Sequence, residues 1–500
     1  MRCAKKKKML VPLLILFFTL SGSIEFEIPV AAGPVHRDSG CEDKACNVIY
    51  GFSGNNTTAG VGAATISGGG RPGFPNQVTA DMGSIGGGIG NRAGELAAVG
   101  GGAYNVAEAL RAMIGGGAYN VAARDSSTIS GGYANKATGS YAAVGGGSFN
   151  TAGEVKATVG GGSGNIAGER HATIGGGTVN TAGGLAATIG GGVQNNAGAA
   201  FTTIGGGISN RAGGIEATIC GGAGNQAGGQ EATVGGGMNN RATDNYTVVS
   251  GGLANVAGNS NPNPTDAIYA AVGGGVDNVA GGSYSVVPGG SSNSAAGAYS
   301  FAAGHRARVA EAHSGAFLFA DSNASDFSSS AANEFAVRAT GGVRLVTAID
   351  RAGIPAAGVR LTAGSGSWES FCDREAKSDL VPADGAKILE QVRKLPLNLW
   401  SYKTQAVSIR HIGPTAQDFY AAFGLGTDNK HISMVDADGI ALASIQGLYR
   451  LVLEKEAQLK VQQDRIEAME SIVMIQQNQL AAVEARIKGL EKAIAAQKNP

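Results

Sequence analysis

The sequence is poor in the residues that build an ordinary globular core. Its 500 residues include only 2 Trp, 13 Pro and 5 Cys, whereas 83 residues are Gly. A broad core needs large side chains, so a compact globular fold is excluded for the Gly-rich part of the chain, which ends near residue 300. A collagen-like triple helix is excluded too, because the glycines do not recur every third residue and proline is scarce.

The chain also lacks an excess of charge of either sign. Its 38 basic residues balance 38 acidic ones, and no lysine occurs between Lys156 and Lys377. A nucleic-acid-binding protein needs a basic face that neutralises phosphates, so we expect no nucleic-acid partner. The cysteine spacings match no zinc pattern, and we expect neither a metal nor a cofactor.

The first 23 residues have the pattern of a secretory signal peptide. Four lysines precede an apolar run from Met9 to Leu20, and small residues follow it. This run is shorter than the roughly 20 residues that cross a bilayer, although an uncleaved membrane anchor is the alternative. We therefore expect an exported protein, at the cell surface or extracellular, with no membrane span after signal removal.

Export to an oxidising compartment permits disulfides. Cys41 and Cys46 lie close together in the N-terminal segment 24–48, and they form either a small disulfide loop or a link between chains. Cys220 replaces a glycine inside a repeat, and we expect it to be a buried small residue.

An asparagine recurs every 15 residues through the Gly-rich region. Eleven asparagines run from Asn105 to Asn255 without interruption; an alanine follows each after two residues, and Ile or Val follows each of the first ten after nine. Ala, Ser or Thr stands two positions before each of these Ile or Val residues, and a Gly-rich triplet comes after it. The pattern extends with insertions back to Asn76 and forward to Asn293.

This period predicts a mainly β protein, with a β-solenoid of narrow coils that each hold two short strands and two turns. Residues two apart in a strand face the same side, so Ala142 and Val144 are expected inside and Ala143 outside. The asparagines are expected either to stack as a ladder or to hold a turn in the left-handed region. About sixteen coils at roughly 4.8 Å each predict a rod on the order of 80 Å long.

Binding functions of Gly-rich sequences fit this repeat less well. A phosphate-binding loop occurs once, between a strand and a helix, whereas this motif repeats. Calcium-binding β-rolls have a nine-residue period with an Asp in each repeat, whereas Asp is scarce here. His171 and His305 are isolated, and we expect them to be surface or structural residues rather than ligands.

Residues 49–310 resemble the YadA-like head of trimeric autotransporter adhesins, and SYSFAAGHRARV at 298–309 resembles the repeat that closes such heads. The resemblance implies a left-handed β-roll in a homotrimer, whose ligand would be a host surface, a glycan or extracellular matrix. A thin coil buries little apolar area alone, and wrapping three chains about one axis would bury a second face.

Such adhesins commonly use a shorter repeat and end in a membrane anchor, whereas this chain ends in a charged helix. We therefore expect a secreted fibre or one held by its N terminus.

Glycine density falls after residue 310, and residues 311–366 are predicted to form a small β-rich neck. The segment NEFAVRATGGVRLVTAID, at 333–350, alternates apolar and polar residues around a Gly-Gly pair. This pattern predicts a strand-turn-strand unit.

Three later blocks resemble, in order and spacing, the intramolecular chaperone domain of phage tail-spikes and tail fibres, including endosialidases. The blocks lie at 372–377, 410–419 and 432–451. The resemblance implies that residues 367–444 bring three fibre subunits together, help the repetitive shaft to find its register and can then cut themselves from it.

In the resembling family the first block reads Ser-Asp-x-x-x-Lys, where the serine is the nucleophile, the lysine assists it, and the bond before the serine is cut. Here Cys372 stands at the serine position, and Asp373 and Lys377 match. The resemblance thus assigns Cys372 as nucleophile and Lys377 as base, with cleavage between Phe371 and Cys372. A thiol needs less activation than a hydroxyl, and a nearby protonated lysine favours the thiolate. Two hypotheses remain open: self-cleavage, or an uncleaved chaperone in which Cys372 is a passenger.

An Ile, Val or Leu recurs every seven residues from Ile445 to Ile494, eight times without a miss. This is a heptad a series, and it predicts a coiled coil over residues 445–497. The paired d series is apolar at both ends and polar in the middle, which costs stability but can fix register and strand number. One long helix packed on its own domain is the alternative, and the heptads alone do not distinguish a dimer from a trimer.

These patterns favour an exported trimeric fibre with a surface-binding head. A peptidase that acts only on its own chain is compatible with that function, and a phage-derived tail-fibre-like protein with a silent, uncleaved chaperone is the alternative. A tail-spike glycosidase would need paired carboxylates in a cleft, and the acid-poor repeats offer no such pair.

Overall fold

The computed structural model describes residues 45–259 and 261–497, together with the short strand His36–Arg37. The expected signal peptide at 1–23 and Cys41 lie outside the described residues, so the pairing of Cys46, which is disulfide-bonded, stays a prediction. The chain forms two compact units that divide between Thr340 and Gly341. No helix among the described residues is both long enough and apolar enough to cross a membrane.

The first unit is a parallel β-solenoid, as the repeat predicted. Each coil adds one short strand to each of two sheets, so Thr158 pairs with Thr173 in the first sheet and Thr151 with Ile166 in the second. About nineteen coils follow one another rather than the sixteen expected. The difference arises partly because coils continue through the strand Phe335–Arg338, beyond the last repeated asparagine.

The strands of the solenoid are mostly two residues long. The first sheet consists of Val48–Ile49, Thr65–Ile66, Ser84–Ile85, Ala98–Val99, Met113–Ile114, Thr128–Ile129, Ala143–Val144, Thr158–Val159, Thr173–Ile174, Thr188–Ile189, Thr203–Ile204, Thr218–Ile219, Thr233–Val234, Val248–Val249, Ala271–Val272, Val286–Val287, Phe301–Gly304, Phe317–Ala320 and Phe335–Arg338, with His36–Arg37 antiparallel at its start. The second sheet consists of Asn56–Thr57, Gln77–Val78, Arg92–Ala93, Val106–Ala107, Val121–Ala122, Lys136–Ala137, Thr151–Ala152, Ile166–Ala167, Thr181–Ala182, Asn196–Ala197, Arg211–Ala212, Gln226–Ala227, Arg241–Ala242, Val256–Ala257, Val279–Ala280, Ser294–Ala295, Ala307–Val309 and Phe327–Ser328.

The interior of the solenoid is one coil wide, and in the regular coils it holds only small or β-branched side chains. In the coil that starts at Asn165, the fully buried residues are Asn165, Ala167, Ala172 and Ile174. The same positions are buried along the repeat, and the residues between them face outward, as strand alternation predicted. Larger side chains are excluded from the regular coils because the two sheets lie close together there, whereas a later coil buries Leu318.

The asparagines form the predicted ladder. The backbone N–H of Asn165 donates to Oδ1 of Asn150, and the N–H of Asn180 donates to Oδ1 of Asn165, both at 3.0 Å. The Nδ2 group of Asn165 donates to the carbonyl oxygens of Gly161 at 2.9 Å and Gly177 at 2.8 Å. Each polar atom of this buried amide therefore has a partner, and the amide links successive coils.

From Asn91 onward, the left-handed backbone conformation falls on the residue before each ladder asparagine, not on the asparagine itself. Val179, which precedes Asn180, has a φ of 56°. The third residue of the triplet is also left-handed: Gly177 has a φ of +94°, and a Cβ there would lie 2.1 Å from the carbonyl oxygen of Gly192. Glycine is required at this position both by the backbone conformation and by the close approach of the next coil.

Two expectations for single segments are wrong. Cys220 is exposed rather than buried, because Ile219 points into the core and strand alternation turns the next residue outward. The segment 333–350 is not one strand-turn-strand unit. Its first strand pairs in parallel with Phe317–Ala320 in the solenoid, whereas Val343–Ile349 pairs antiparallel with Pro355–Leu361 in the second unit.

The second unit combines two small antiparallel sheets with three helices. Its elements are the three-stranded sheet Val343–Ile349, Pro355–Leu361 and Trp368–Ser370, helix α1 Gly385–Lys394, the two-stranded sheet Asn398–Trp400 and His411–Gly413, helix α2 Ala416–Phe423 and helix α3 Met434–Gln497. Asp384 caps the N terminus of helix α1: its Oδ1 accepts the N–H groups of Ala386 and Lys387, both at 3.1 Å. It crosses α3 closely at Gly447, where a Cβ would lie 2.2 Å from the carbonyl oxygen of Gly385.

We expect Asn195→Asp to destabilise the solenoid locally, because it removes donors from a buried ladder position. Asn195 is 1% exposed, and its Nδ2 donates to the carbonyl oxygens of Gly191 and Gly207, both at 2.9 Å. A carboxylate there leaves both carbonyls unpaired, at about 1–3 kcal/mol for each buried group. Hydrogen exchange of the neighbouring coils should therefore become faster.

The adjacent Asn196 provides the matched control, since it is exposed on the second sheet. Asn196→Asp introduces the same charge one residue away and should leave exchange unchanged. Equal exchange rates in the two variants would show that the ladder does not stabilise the coils.

Candidate functional site

The candidate cleavage point lies where the chain leaves the three-stranded sheet. The strand Trp368–Ser370 pairs with Pro355–Leu361, and the N–H of Phe371 donates to the carbonyl oxygen of Gly358 at 3.0 Å. The next residue, Cys372, is exposed and belongs to no strand. The sheet therefore fixes the peptide up to Phe371, and the bond after it is free of strand pairing.

A tight turn brings the predicted nucleophile and base together. Oδ1 of Asp373 accepts the N–H of Glu375 at 3.0 Å, and the N–H of Lys377 donates to the carbonyl oxygen of Arg374 at 3.1 Å. The turn folds Lys377 back, and its Nζ donates to Sγ of Cys372 at 2.8 Å. This distance is within the range in which a base can take a proton from a nucleophile.

A small pocket of about 220 Å³ adjoins Cys372 and is lined by residues of the sheet edge, including Arg360 and Glu369. Nε of Arg360 donates to Oε2 of Glu369 at 2.5 Å, and this bond lowers the pKa of the Glu369 carboxyl from its ordinary value. Glu369 therefore stays ionised and paired beside the site. It is a fixed negative charge near Cys372 rather than a free acid or base.

In a single chain, Cys372 and Lys377 are in contact but are not shielded from water. Both Cys372 and Lys377 are exposed, whereas burial is what turns a lysine into an effective general base. The described residues thus supply the contact that the chemistry needs but not the water-excluded environment.

The second block of the sequence pattern is structural. His411–Gly413 pairs with Asn398–Trp400, and Oγ1 of Thr415 accepts the N–H of Asp418 at 3.2 Å at the start of α2. Phe419 is 4% exposed and is the buried residue of this helix. This block therefore builds the unit and adds no further candidate catalytic residue.

Residues 372–424 match the family described as chaperone of endosialidase. The match starts at Cys372 and ends directly after α2, so it includes the Cys372–Lys377 contact, α1 and α2. The chain carries a chaperone-of-endosialidase domain at these residues, which confirms this part of the predicted resemblance. None of the curated proteins matches the chain. The catalytic roles of Cys372 and Lys377 and the likeness of the head to YadA-like adhesins stay predictions.

Across the described residues, no group of three or more His, Cys, Asp or Glu side chains is placed to hold a metal ion. Sequence reasoning missed one polar cluster in the head, around Asp244 and the loop 258–267. Its signal was visible as the insertion NSNPNPTD, at 259–266, which interrupts the 15-residue period.

We expect Cys372 to react with iodoacetamide faster than Cys220, and Lys377→Met to remove the difference. Both thiols are exposed, but only Cys372 has a lysine ammonium at contact distance, and a neighbouring positive charge stabilises the nucleophilic thiolate. Peptide mapping by mass spectrometry after a timed reaction measures both rates in one sample.

Cys220 is the internal control, because Lys377→Met should leave its rate unchanged. A Cys372 rate that is insensitive to this substitution would contradict a working contact between the two side chains.

Proposed function

We propose that the protein is an exported homotrimeric fibre of the YadA-like adhesin type. Its left-handed solenoid head contacts a host surface, a glycan or extracellular matrix, and its C-terminal module acts as an intramolecular chaperone for trimer assembly. The observation that carries this proposal is the chaperone-of-endosialidase domain at 372–424, followed in the same unit by a 64-residue helix with an unpaired apolar stripe.

The apolar stripe of α3 supports a partner helix of the same kind. Every residue of α3 from Leu448 onward is exposed in the single chain, including seven of the eight heptad a residues, and the remaining a residue, Ile445, is 63% exposed. Ile466, for example, is 44% exposed. Since eight successive apolar a positions have no partner within the chain, association of α3 with copies of itself is the arrangement that buries them.

The regularity of the head explains why a chaperone is needed. From Val99 to Val249 each strand of the first sheet pairs with residues 15 positions away, and successive coils carry similar side chains. Chains displaced by one coil would therefore meet nearly the same surfaces, so the head specifies its register weakly. A separate trimerising module at one end removes this ambiguity, because it fixes the three chains before the coils pair.

We expect Ile466→Asp to abolish the trimer. At a heptad a position of a three-stranded coiled coil, the substitution places three unpaired carboxylates near one axis, at a cost of several kcal/mol. Native mass spectrometry of the full-length protein should then show monomers or aggregates.

Ala468→Asp is the matched control, because it adds the same charge two residues away, on the solvent side of the heptad. It should leave the trimer intact. Trimers that persist in the Ile466→Asp protein would mean that α3 is not a coiled coil.

We further propose that the trimer cuts the Phe371–Cys372 bond. Sγ of Cys372 attacks the carbonyl carbon of Phe371, and Nζ of Lys377, at 2.8 Å from Sγ, takes the thiol proton. The C–N bond between Phe371 and Cys372 then breaks as the proton passes to the leaving amine nitrogen of Cys372, which leaves Phe371 as a thioester on Sγ. Water hydrolyses this thioester, so that Phe371 ends in a carboxylate and the Cys372 thiol is restored. Because Lys377 is exposed in a single chain, cleavage depends on burial of the pair between subunits. The alternative is a chaperone that stays attached, with Cys372 inert.

Intact-mass measurement of variants after folding separates these two outcomes. We expect Cys372→Ser to retain cleavage, since a hydroxyl can replace the thiol as nucleophile, and Cys372→Ala and Lys377→Ala to abolish it. Ile466→Asp should also block cleavage, because the site is completed by the trimer. An uncut wild-type chain in a folded trimer would establish the inert alternative, and cleavage regained in Cys372→Ser would then show that the cysteine alone silences the site.

A further inference from the structure

The three-stranded sheet leads directly to the bond that is proposed to be cut. In the strand Trp368–Ser370, Glu369 lies opposite Arg360 of the neighbouring strand. The N–H of Phe371 continues this pairing, since it donates to the carbonyl oxygen of Gly358 at 3.0 Å. Residues two apart in a strand face the same side, so Phe371 follows Glu369 on the face that carries Arg360. Arg360 is therefore the diagonal neighbour of Phe371, a separation that a long side chain can span.

The guanidinium of Arg360 is held at one nitrogen and free at the other two. Its Nε donates to Oε2 of Glu369 at 2.5 Å, and Oε1 of Glu369 accepts the hydroxyl of Thr362 at 3.1 Å. Both oxygens of this carboxylate thus have partners, and the carboxylate fixes the guanidinium in place. The terminal amino groups of Arg360 make no hydrogen bond within the described part of the chain. Because a guanidinium is a rigid, planar fork of donors, these groups are available to a second acceptor.

These free donors adjoin both residues of the bond. One pocket of about 220 Å³ is lined by Arg360, Glu369, Ser370, Phe371, Cys372 and Asp373. Among these described lining residues, Arg360 alone carries a positive charge, whereas Glu369 and Asp373 are acidic. The guanidinium is therefore the cationic donor of the pocket that holds the Phe371–Cys372 bond.

The proposed reaction needs such a donor twice. Attack by Sγ of Cys372 turns the carbonyl oxygen of Phe371 into an oxyanion, and attack by water on the thioester does so again. The N–H groups nearest in sequence are already committed, since that of Phe371 binds Gly358 and that of Cys372 belongs to the leaving amine. Nζ of Lys377 faces Sγ at 2.8 Å. A donor from the neighbouring strand is thus required, and donors aimed at an oxyanion usually contribute most to such catalysis.

We propose that Arg360 is a further catalytic residue, whose terminal amino groups donate to the carbonyl oxygen of Phe371 as negative charge develops on it. The inference rests on the proposed self-cleavage. The charge returns to the C=O bond when the C–N bond breaks to give the thioester, and again when the C–S bond breaks to give the carboxylate. Arg360 stays protonated throughout and exchanges no proton. Glu369 is a positioning residue, because it acts through Arg360.

Arg360→Ala in the full-length protein tests this role. We expect the variant to form the trimer, since the sheet pairs through its backbone, and to cut the Phe371–Cys372 bond about tenfold to a hundredfold more slowly than wild type. Intact-mass measurement over a time course gives the rate, and native mass spectrometry checks the trimer. Arg360→Lys should cut at an intermediate rate, because it keeps the charge but not the planar fork.

Two further measurements distinguish catalysis from a structural effect. Guanidinium chloride at millimolar concentration should restore cleavage in Arg360→Ala, because the substitution leaves room for a guanidinium ion in the pocket, whereas NaCl at the same concentration should not. The pH dependence should keep its midpoint, since arginine stays charged and its loss lowers the rate by the same factor at each pH. A displaced midpoint with an unchanged maximal rate would show that Arg360 acts on the Cys372 thiol instead, which overturns the proposal.

Arg344→Ala is the matched control. Arg344 lies opposite Arg360 on the third strand of the same sheet and is also exposed, but it is not among the described residues that line the pocket. Its removal takes the same charge from the same face and should leave the cleavage rate unchanged. An equal loss of rate in Arg344→Ala would assign the effect to the sheet as a whole and overturn the role of Arg360.

The remaining outcomes separate this inference from the proposed cleavage. If only Cys372→Ser is cut, the series is carried out in that background, and if Arg360→Ala forms no trimer, Arg360→Lys carries the test. A parental rate in the tested variant, or a slowed Arg360→Ala trimer that guanidinium does not restore, overturns the role of Arg360 and leaves the cleavage proposal intact. A folded trimer that stays uncut both as wild type and as Cys372→Ser overturns both.

Discussion

The buried amide of one asparagine per coil is the interaction on which the head depends. The interior of the regular coils is too narrow for the aromatic and leucine side chains that stabilise ordinary cores, and its apolar residues are alanine, isoleucine and valine. Hydrogen bonds must therefore hold the coils together along their length. Asn165 satisfies all of its polar atoms with Asn150, Asn180 and two glycine carbonyls, so each coil is complete only when its neighbours are present.

The same dependence on identical neighbours makes the regular coils interchangeable. Irregular coils break this degeneracy: Ile66 pairs with Ile85 at a separation of 19 residues, Ile85 with Val99 at 14, and Val249 with Val272 at 23. They lie near the two ends of the regular region, so within it a displaced coil meets an equivalent partner. Register there is set from outside the region, by the irregular coils and, in the proposed trimer, by the C-terminal module.

The sequence predicted those parts of the fold in which local pattern and tertiary structure have the same period. The ladder asparagines and the inward alanines belong to this class, because a strand alternates every two residues and a coil repeats every 15. The left-handed position was not predictable, since valine at 179 has no local preference for positive φ and adopts it only because both neighbouring coils do. The sequence analysis also predicted the wrong partner for the strand Phe335–Arg338, because local alternation does not say which strand lies alongside.

The candidate site, too, was only partly predictable from the sequence. The contact between Cys372 and Lys377 was predictable, because both residues lie within one short turn whose hydrogen bonds are local. The burial that would activate the pair was not, since the single chain leaves both side chains exposed. The cluster at Asp244 was missed because its burial depends on an insertion that begins 15 residues later in the chain.

The head buries its apolar residues within one chain, whereas α3 leaves them exposed. This difference sets the sequence of steps in the proposed assembly. The head forms its ladder hydrogen bonds and buries its core within one chain, whereas α3 from Leu448 onward leaves its apolar side chains exposed. Free energy for association is therefore concentrated in α3, whose heptads are local in sequence and can pair before a long parallel sheet is complete. Once the coils have formed, the ladder no longer depends on the helix, because its bonds all lie within the chain. Cleavage before Cys372 at that stage would remove the module that set the register without breaking any bond of the ladder, which is consistent with a chaperone that is needed for folding and not for the folded fibre.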